Sequence, residues 1–168
     1  MSLMSMISCN QSAKRSDTMQ TIGMMDDTLL NYNQQVVQNE RQAIEDFIMR
    51  HQWKMKTTST GLWYMIYKNG KGPSAKKGDI VSIFYSVHLL NGDLVFKTDS
   101  VIPFKFEIGK GKVPNGLEEG VMLMKPGDKA KLIVPSHLAF GLVGDMDKIP
   151  NRAILLYDVE MGQQNRPK

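Results

Sequence analysis

The chain has 168 residues, 42% hydrophobic and 23% charged, enough for one domain with a real core and a modest extension. Its formal net charge of +4 is interleaved, as in Ala75-Lys76-Lys77-Gly78-Asp79 and Asp128-Lys129-Ala130-Lys131, which predicts a solvated mixed-charge surface and no nucleic-acid footprint. No stretch approaches the roughly 18 apolar residues of a membrane span, and a single cysteine, Cys9, excludes an intrachain disulfide.

Residues 1–23 are rich in Ser, Met, Gln and Thr without a period, which reads as a flexible tether. Within it Cys9 is either a free thiol or a lipidation site. Met6-Ile7-Ser8-Cys9 loosely resembles a bacterial lipobox, although an aliphatic residue usually stands where Met6 is and no basic start with a long apolar run precedes it. A lipidated Cys9 would place the protein in a bacterial cell envelope, facing the periplasm as an outer-membrane lipoprotein.

A helical pattern then predicts a long amphipathic helix from Asp26 to His51 within an N-terminal segment of residues 24–60. Asp26-Asp27-Thr28 supplies caps and an acidic first turn. Leu30, Val37, Ile44 and Ile48 form an apolar stripe, widened by Leu29 and Phe47. That stripe either packs on its own domain or meets a second copy to make a dimer. The polar residues Trp53–Thr60 read as a linker.

Past the linker the period changes from 3.6 to 2. Leu62, Tyr64 and Ile66 alternate with Trp63, Met65 and Tyr67 up to the turn at Gly70-Lys71-Gly72-Pro73. After Gly78-Asp79 a long strand places Val81, Ile83, Tyr85, Val87 and Leu89 on one face, with His88 on the other, exposed face. Asn91-Gly92-Asp93 signals a hairpin in which Asn-Gly adopts positive φ at both central positions. Phe104, Phe106 and Ile108 form the next alternation. A short helix follows, capped by Asn115 with Glu118 closing a capping box, and stopped by Pro126-Gly127. Ala130, Leu132 and Val134, then Leu155, Tyr157, Val159 and Met161, mark two final strands before a polar tail at 162–168. The expected fold is therefore α+β, an antiparallel sheet half-wrapped around one short helix over residues 61–161, preceded by the N-terminal helix.

Ordinary catalytic signatures are missing from this pattern. His51, His88 and His137 have no metal-ligand spacing to Cys, Asp or Glu, and there is no nucleophile elbow, phosphate loop or dinucleotide fingerprint, so neither a metal nor a cofactor is expected. Gly109-Lys110-Gly111 reads as a turn. What remains is aromatic: Tyr85, Phe96, Phe104, Phe106, Phe140 and Tyr157, far apart in sequence, form either plain core or a pocket.

Several segments bear on that choice. Gly78-Asp79-Ile80-Val81 leading to Tyr85, Pro103 to Gly109, Gly116-Leu117-Glu118-Glu119-Gly120-Val121, and Met124-Lys125-Pro126-Gly127-Asp128-Lys129-Ala130 occur in order. Ala139-Phe140-Gly141, Ile149-Pro150-Asn151 and Asp158-Val159-Glu160 complete the series. Together they resemble the FKBP family, and the Glu40–Gly72 region resembles lipoprotein members from gliding bacteria and their relatives.

The resemblance implies a peptidyl-prolyl cis-trans isomerase that assists protein folding, with proline-containing polypeptides as clients. It further implies a pocket with Tyr85, Phe96, Phe104, Leu117, Phe140 and Tyr157 as catalytic wall and floor, and Phe106, Val113, Pro114 and Ile149 as substrate-binding neighbours. It also marks departures that imply reduced activity. Leu117 stands where the family usually has tryptophan, and Phe140 where a tyrosine hydroxyl usually bonds the ligand. Pro114 stands where a backbone N–H is usually offered, which proline lacks. Lys97 replaces an aspartate beside Phe96. A non-catalytic proline-binding or chaperone module is the alternative these departures leave open.

Overall fold

The computed structural model describes residues 12–99 and 101–165, with side chains from residue 31 onward. The whole lipobox-like stretch Met6–Cys9 lies outside the described residues, as does part of the tether. The chain divides into two compact units between Asn39 and Glu40.

The first unit is helical. Helix α1 runs Ser12–His51, crossing the unit boundary and starting well ahead of the Asp26 that periodicity predicts. It takes in residues 12–23, which the sequence reads as tether. Nothing in Ser12–Ile22 breaks a helix: there is no proline, and Ala13, Lys14, Arg15, Met19 and Gln20 are good helix formers. Gly23 costs about 1 kcal/mol relative to alanine, which a long helix absorbs.

The second unit holds a seven-stranded antiparallel sheet. Its strands are β1 (Lys56–Thr57), β2 (Trp63–Lys68), β3 (Ile80–Leu89), β4 (Leu94–Lys97), β5 (Phe104–Glu107), β6 (Lys129–Val134) and β7 (Leu155–Asn165). The spatial order is β1-β2-β6-β7-β3-β4, and β5 also pairs with β3. β4 covers Ser86–His88 and β5 covers Ile80–Ile83, so the two share one edge of β3. Two boundaries differ from expectation. The linker contains β1, because Lys56 and Thr57 pair with Tyr64 and Trp63. The polar tail is strand up to Asn165, where Ser82 at a bulge donates its hydroxyl to the Gln163 carbonyl (3.0 Å) and accepts from the Gln163 N–H (2.8 Å).

The β3–β4 hairpin also differs. Gly92, but not Asn91, has positive φ (98°), and the Gly92 N–H bonds the Leu89 carbonyl while the Leu89 N–H bonds the Asp93 carbonyl. The loop is therefore three residues, Leu90-Asn91-Gly92, with glycine alone in the left-handed position.

Helix α2 (Asn115–Met122) packs on one face of the sheet. Gly116 and Gly120 lie on its sheet side, where a Cβ would run into Val134 and Leu132, so the glycines set how closely the helix backbone approaches β6. Leu62, Ile83, Leu117, Leu132 and Leu155 are fully buried between them, each contributing about 1.5–3 kcal/mol. The opposite face carries Ile133, covered by Ile44 and Phe47 of the last turns of α1, with Trp53, Trp63 and Leu156 around them. Of the two fates open to the helix stripe, its C-terminal part packs on its own domain, whereas Val37 in the first unit is 50% exposed. Glu40, at the start of the second unit, accepts from the Ser136 hydroxyl (2.5 Å) and backbone N–H (3.1 Å).

Candidate functional site

On the α2 side, β3, β4, β5 and β7 surround a cavity of about 330 Å³, within the range of small-ligand sites. Its wall begins at Tyr85 on the middle of β3. Thr98, just past β4, grips that residue's backbone: Thr98 Oγ1 accepts from the Tyr85 N–H (2.9 Å) and donates to its carbonyl (3.2 Å). The Tyr85 ring meets Phe96 of β4 at 5.3 Å, Phe104 of β5 at 6.0 Å and edge-on, and Tyr157 of β7 at 6.0 Å between centroids. Such offset and edge arrangements suit aromatic quadrupoles.

Leu117, in the first turn of α2 and 1% exposed, forms the floor. Val113 and Pro114 lead into that helix. The helix start differs from expectation: Pro114 occupies the cap position, its carbonyl accepting from the N–H groups of Leu117 (3.0 Å) and Glu118 (3.1 Å), and Asn115 makes no side-chain cap. Glu118 is drawn elsewhere and accepts from the Gly109 N–H. Gly109 has φ of 90°, confirming the turn after β5.

Phe140 and Ile149 reach the cavity from the loop between β6 and β7. A single 3-10 turn, Ser136–Leu138, starts that loop, and the Gly141 N–H returns to the Ser136 carbonyl (2.8 Å). Asp145 closes it by accepting from the N–H groups of Ile149 (2.6 Å) and Asp147 (3.0 Å). Those backbone donors hold its carboxyl below the usual range.

Nine of the ten pocket residues that the resemblance implies thus line one cavity: Tyr85, Phe96, Phe104, Val113, Pro114, Leu117, Phe140, Ile149 and Tyr157. Phe106 does not. It is 2% exposed and stacks behind Phe104 at 5.9 Å, supporting the wall from deeper in the core. The lining also includes Val87, Val95, Lys112, Asp145, Asp147 and Lys148. Val87 could have been found, since it shares the Tyr85 face of β3. The charged rim comes from irregular loops and has no periodic signature. Lys97 lies outside the lining, near Asp158 and Glu160 on another surface.

The phenols at the site are held neutral. Burial pushes the Tyr85 hydroxyl up, and pushes Tyr157 up further, with the neighbouring Tyr85 adding to the effect. Among the described residues no His/Cys/Asp/Glu cluster could hold a metal, and no helix is long and apolar enough to cross a membrane. The arrangement offers an aromatic wall with a charged rim and no histidine.

A larger depression, about 620 Å³, lies on the opposite face between Phe47, His51, Trp53, His88, Lys131 and Asp158. His88 is half-buried there, not exposed as expected. Size does not decide between the two. The smaller cavity is the better candidate because aromatic rings from β3, β4, β5 and β7 converge on it and no described residue fills it.

The sequence pattern described as FKBP-type peptidyl-prolyl cis-trans isomerase matches residues 72–162, more than half of the chain. The chain is 46% identical over 90 residues to FK506-binding protein 2 of Dictyostelium discoideum, covering 51% of this chain and 65% of that protein. It is 35% identical over 137 residues to the FKBP-type peptidyl-prolyl cis-trans isomerase FkpA of Aeromonas hydrophila, covering 78% of this chain and 48% of that protein. The chain therefore spans less than two thirds of either relative. The crystal structure of FkpA from Escherichia coli superposes with a TM-score of 0.67 at 27% identity, over 95% of this chain and 74% of that one.

Proposed function

The chain belongs to the FKBP-type peptidyl-prolyl cis-trans isomerase family, and from that premise we propose that the cavity binds proline and accelerates cis–trans exchange of X-Pro bonds in polypeptide clients. The observation that carries this reading is the convergence of Tyr85, Phe96, Phe104 and Tyr157 over Leu117 around an open volume. An X-Pro bond resists rotation by about 18–20 kcal/mol because of amide resonance. The twisted transition state has lost that resonance and much of its dipole, so a dry aromatic surface favours it over the solvated planar state. The charged rim at Lys112, Asp147 and Lys148 can orient the flanking chain without taking part in proton transfer.

The rate is reduced in this reading. Pro114 offers no N–H, Phe140 no hydroxyl, and Leu117 a smaller floor than tryptophan. Lost bonds to substrate at about 0.5–1.5 kcal/mol each lower the rate roughly ten- to a hundredfold. The same three residues favour a second reading, a proline-binding or chaperone module without useful catalysis. Magnetization exchange in a short proline peptide separates them. Wild type accelerates exchange and Phe104→Ala does not if the first reading holds; soluble, folded wild type without acceleration leaves the second.

The finer setting is a bacterial cell envelope, with envelope proteins as clients, a periplasm-facing lipid anchor at Cys9 as in the lipoprotein members from gliding bacteria, and a dimer through the part of the α1 stripe around the exposed Val37. The relatives named FkpA and the lipobox-like sequence support the envelope. Mass spectrometry of the mature chain carrying no lipid would remove the anchor, and a monomer mass by light scattering would remove the dimer.

A further inference from the structure

Tyr157 is 2% exposed, yet no protein group bonds its hydroxyl among the described residues. The only buried side-chain polar atom sealed from solvent and left unpaired is Gln164 Oε1, among the described residues. The Tyr157 hydroxyl is different: it keeps access to the cavity it helps to line. Around it Pro114 has no N–H and Phe140 has no hydroxyl, and the other side-chain donors of the lining are the Tyr85 hydroxyl and the ammonium groups of Lys112 and Lys148.

We propose that the Tyr157 hydroxyl is the hydrogen-bond donor that anchors a backbone carbonyl of the bound proline peptide, supplying from the β7 wall what Pro114 and Phe140 cannot. This rests on the proline-binding reading and adds to it a residue that fixes how the peptide lies. The hydroxyl stays protonated through the neutral range, since burial disfavours its charged form, so it presents a donor and not an acceptor to the substrate carbonyl. Its strand position favours precision. Tyr157 is paired on both sides, with Leu132 of β6 and Val87 of β3, so its ring is set by the centre of the sheet and not by a loop.

The position has a signature that a purely structural tyrosine lacks. Removing a hydroxyl that no protein group bonds leaves the stability of the free protein nearly unchanged, while removing a ligand-anchoring one weakens the complex. Tyr157→Phe should therefore leave the melting temperature nearly unchanged and weaken binding of a short Leu-Pro peptide about threefold to tenfold, read by chemical-shift titration. The kcat/KM for exchange should fall in parallel. Adding Phe140→Tyr to that variant, which returns a hydroxyl to the opposite wall, should recover part of the loss. Wild type that binds and Tyr157→Phe that binds equally well would overturn the anchor while leaving the pocket intact. A lower melting temperature with unchanged binding would make the hydroxyl structural and overturn it as well. Wild type that binds no proline peptide would instead overturn the reading beneath it, and the anchor with it.

Discussion

The sheet carries an aromatic cluster on each face, and the two are built to different ends. On the α1 side Phe47, His51 and Trp53 close on one another, with centroids at 4.1, 5.0 and 5.6 Å. The His51 ring reaches the Phe47 carbonyl (2.9 Å), and Lys131 lies over the Trp53 ring at 5.2 Å while bonding Asp158 at 2.6 Å. On the α2 side Tyr85, Phe96, Phe104 and Tyr157 stand 5.3–6.0 Å apart around space. Rings that fill each other's gaps gain dispersion contact and stabilise the fold. The α2-side rings also meet at aromatic-contact distances, but they leave an open volume beside them for a ligand. Aromatic content alone does not mark a site; an aromatic wall that its own chain leaves unfilled does.

If that contrast is right, the two clusters respond in opposite ways to truncation. Phe47→Ala should cost about 3 kcal/mol of stability, measured by urea unfolding, with exchange rates below the melting transition within twofold of wild type. A matching loss of rate would mean the two faces are coupled. Phe104→Ala should lower kcat/KM on the order of a hundredfold, about 2.7 kcal/mol, at a smaller cost in stability because Phe104 is only partly buried.

Leu117→Trp tests how much of the empty volume limits the rate. It should raise kcat/KM about tenfold while lowering the melting temperature, because overpacking a residue that is 1% exposed costs about 1–3 kcal/mol. No gain would mean that the floor is not the defect.

The pH response does not separate the faces by itself, because burial and the bond to Asp158 raise the Tyr67 phenol on the α1 side as well. Tyr85 and Tyr157 have their folded-state values raised above the ordinary phenol. Between the unfolded and folded values the native state holds more protons, so stability is full below about pH 10 and falls as pH rises beyond it. Unfolding at pH 9 and pH 11 measures this. The kcat/KM should stay flat between pH 6 and 8, since no histidine lines the cavity. A bell-shaped profile in that range would contradict the mechanism. The smallest effect belongs to the α1 face: Lys131→Ala should cost about 0.5–1 kcal/mol, since its pair with Asp158 is part-exposed and screened by salt.

Much of this was legible before any coordinates, wherever an apolar face repeated. β3, β5, β6 and β7 follow from alternation, and α2 from Leu117, Val121 and Met124. The cavity wall was legible only through resemblance, because Tyr85, Phe104 and Tyr157 carry the same parity as ordinary core. What escaped depended on competition between partners. Glu118 had two backbone N–H groups to choose from, and the turn at Gly109 won over the Asn115 cap. Phe106 shares parity with Phe104, and only its depth beside Val81 separates support from lining. The start of α1 escaped because residues 12–22 are polar yet free of breakers. Lys112, Asp145, Asp147 and Lys148 escaped because loops that close on themselves, as Asp145 does on Ile149, leave no period to read.

The place of β7 in the sheet bears on how the protein is made. It lies between β6 and β3, bonded to both along most of its length, and it supplies Tyr157. While residues 155–165 are still within the ribosome, β3 and β6 each have an exposed edge and no strand to join them, so the nascent chain carries unpaired apolar strands until β7 emerges. Pairing β3 with β7 then closes a loop of more than sixty residues, a slow, non-local step. Such a chain would depend on shelter until its central strand arrives.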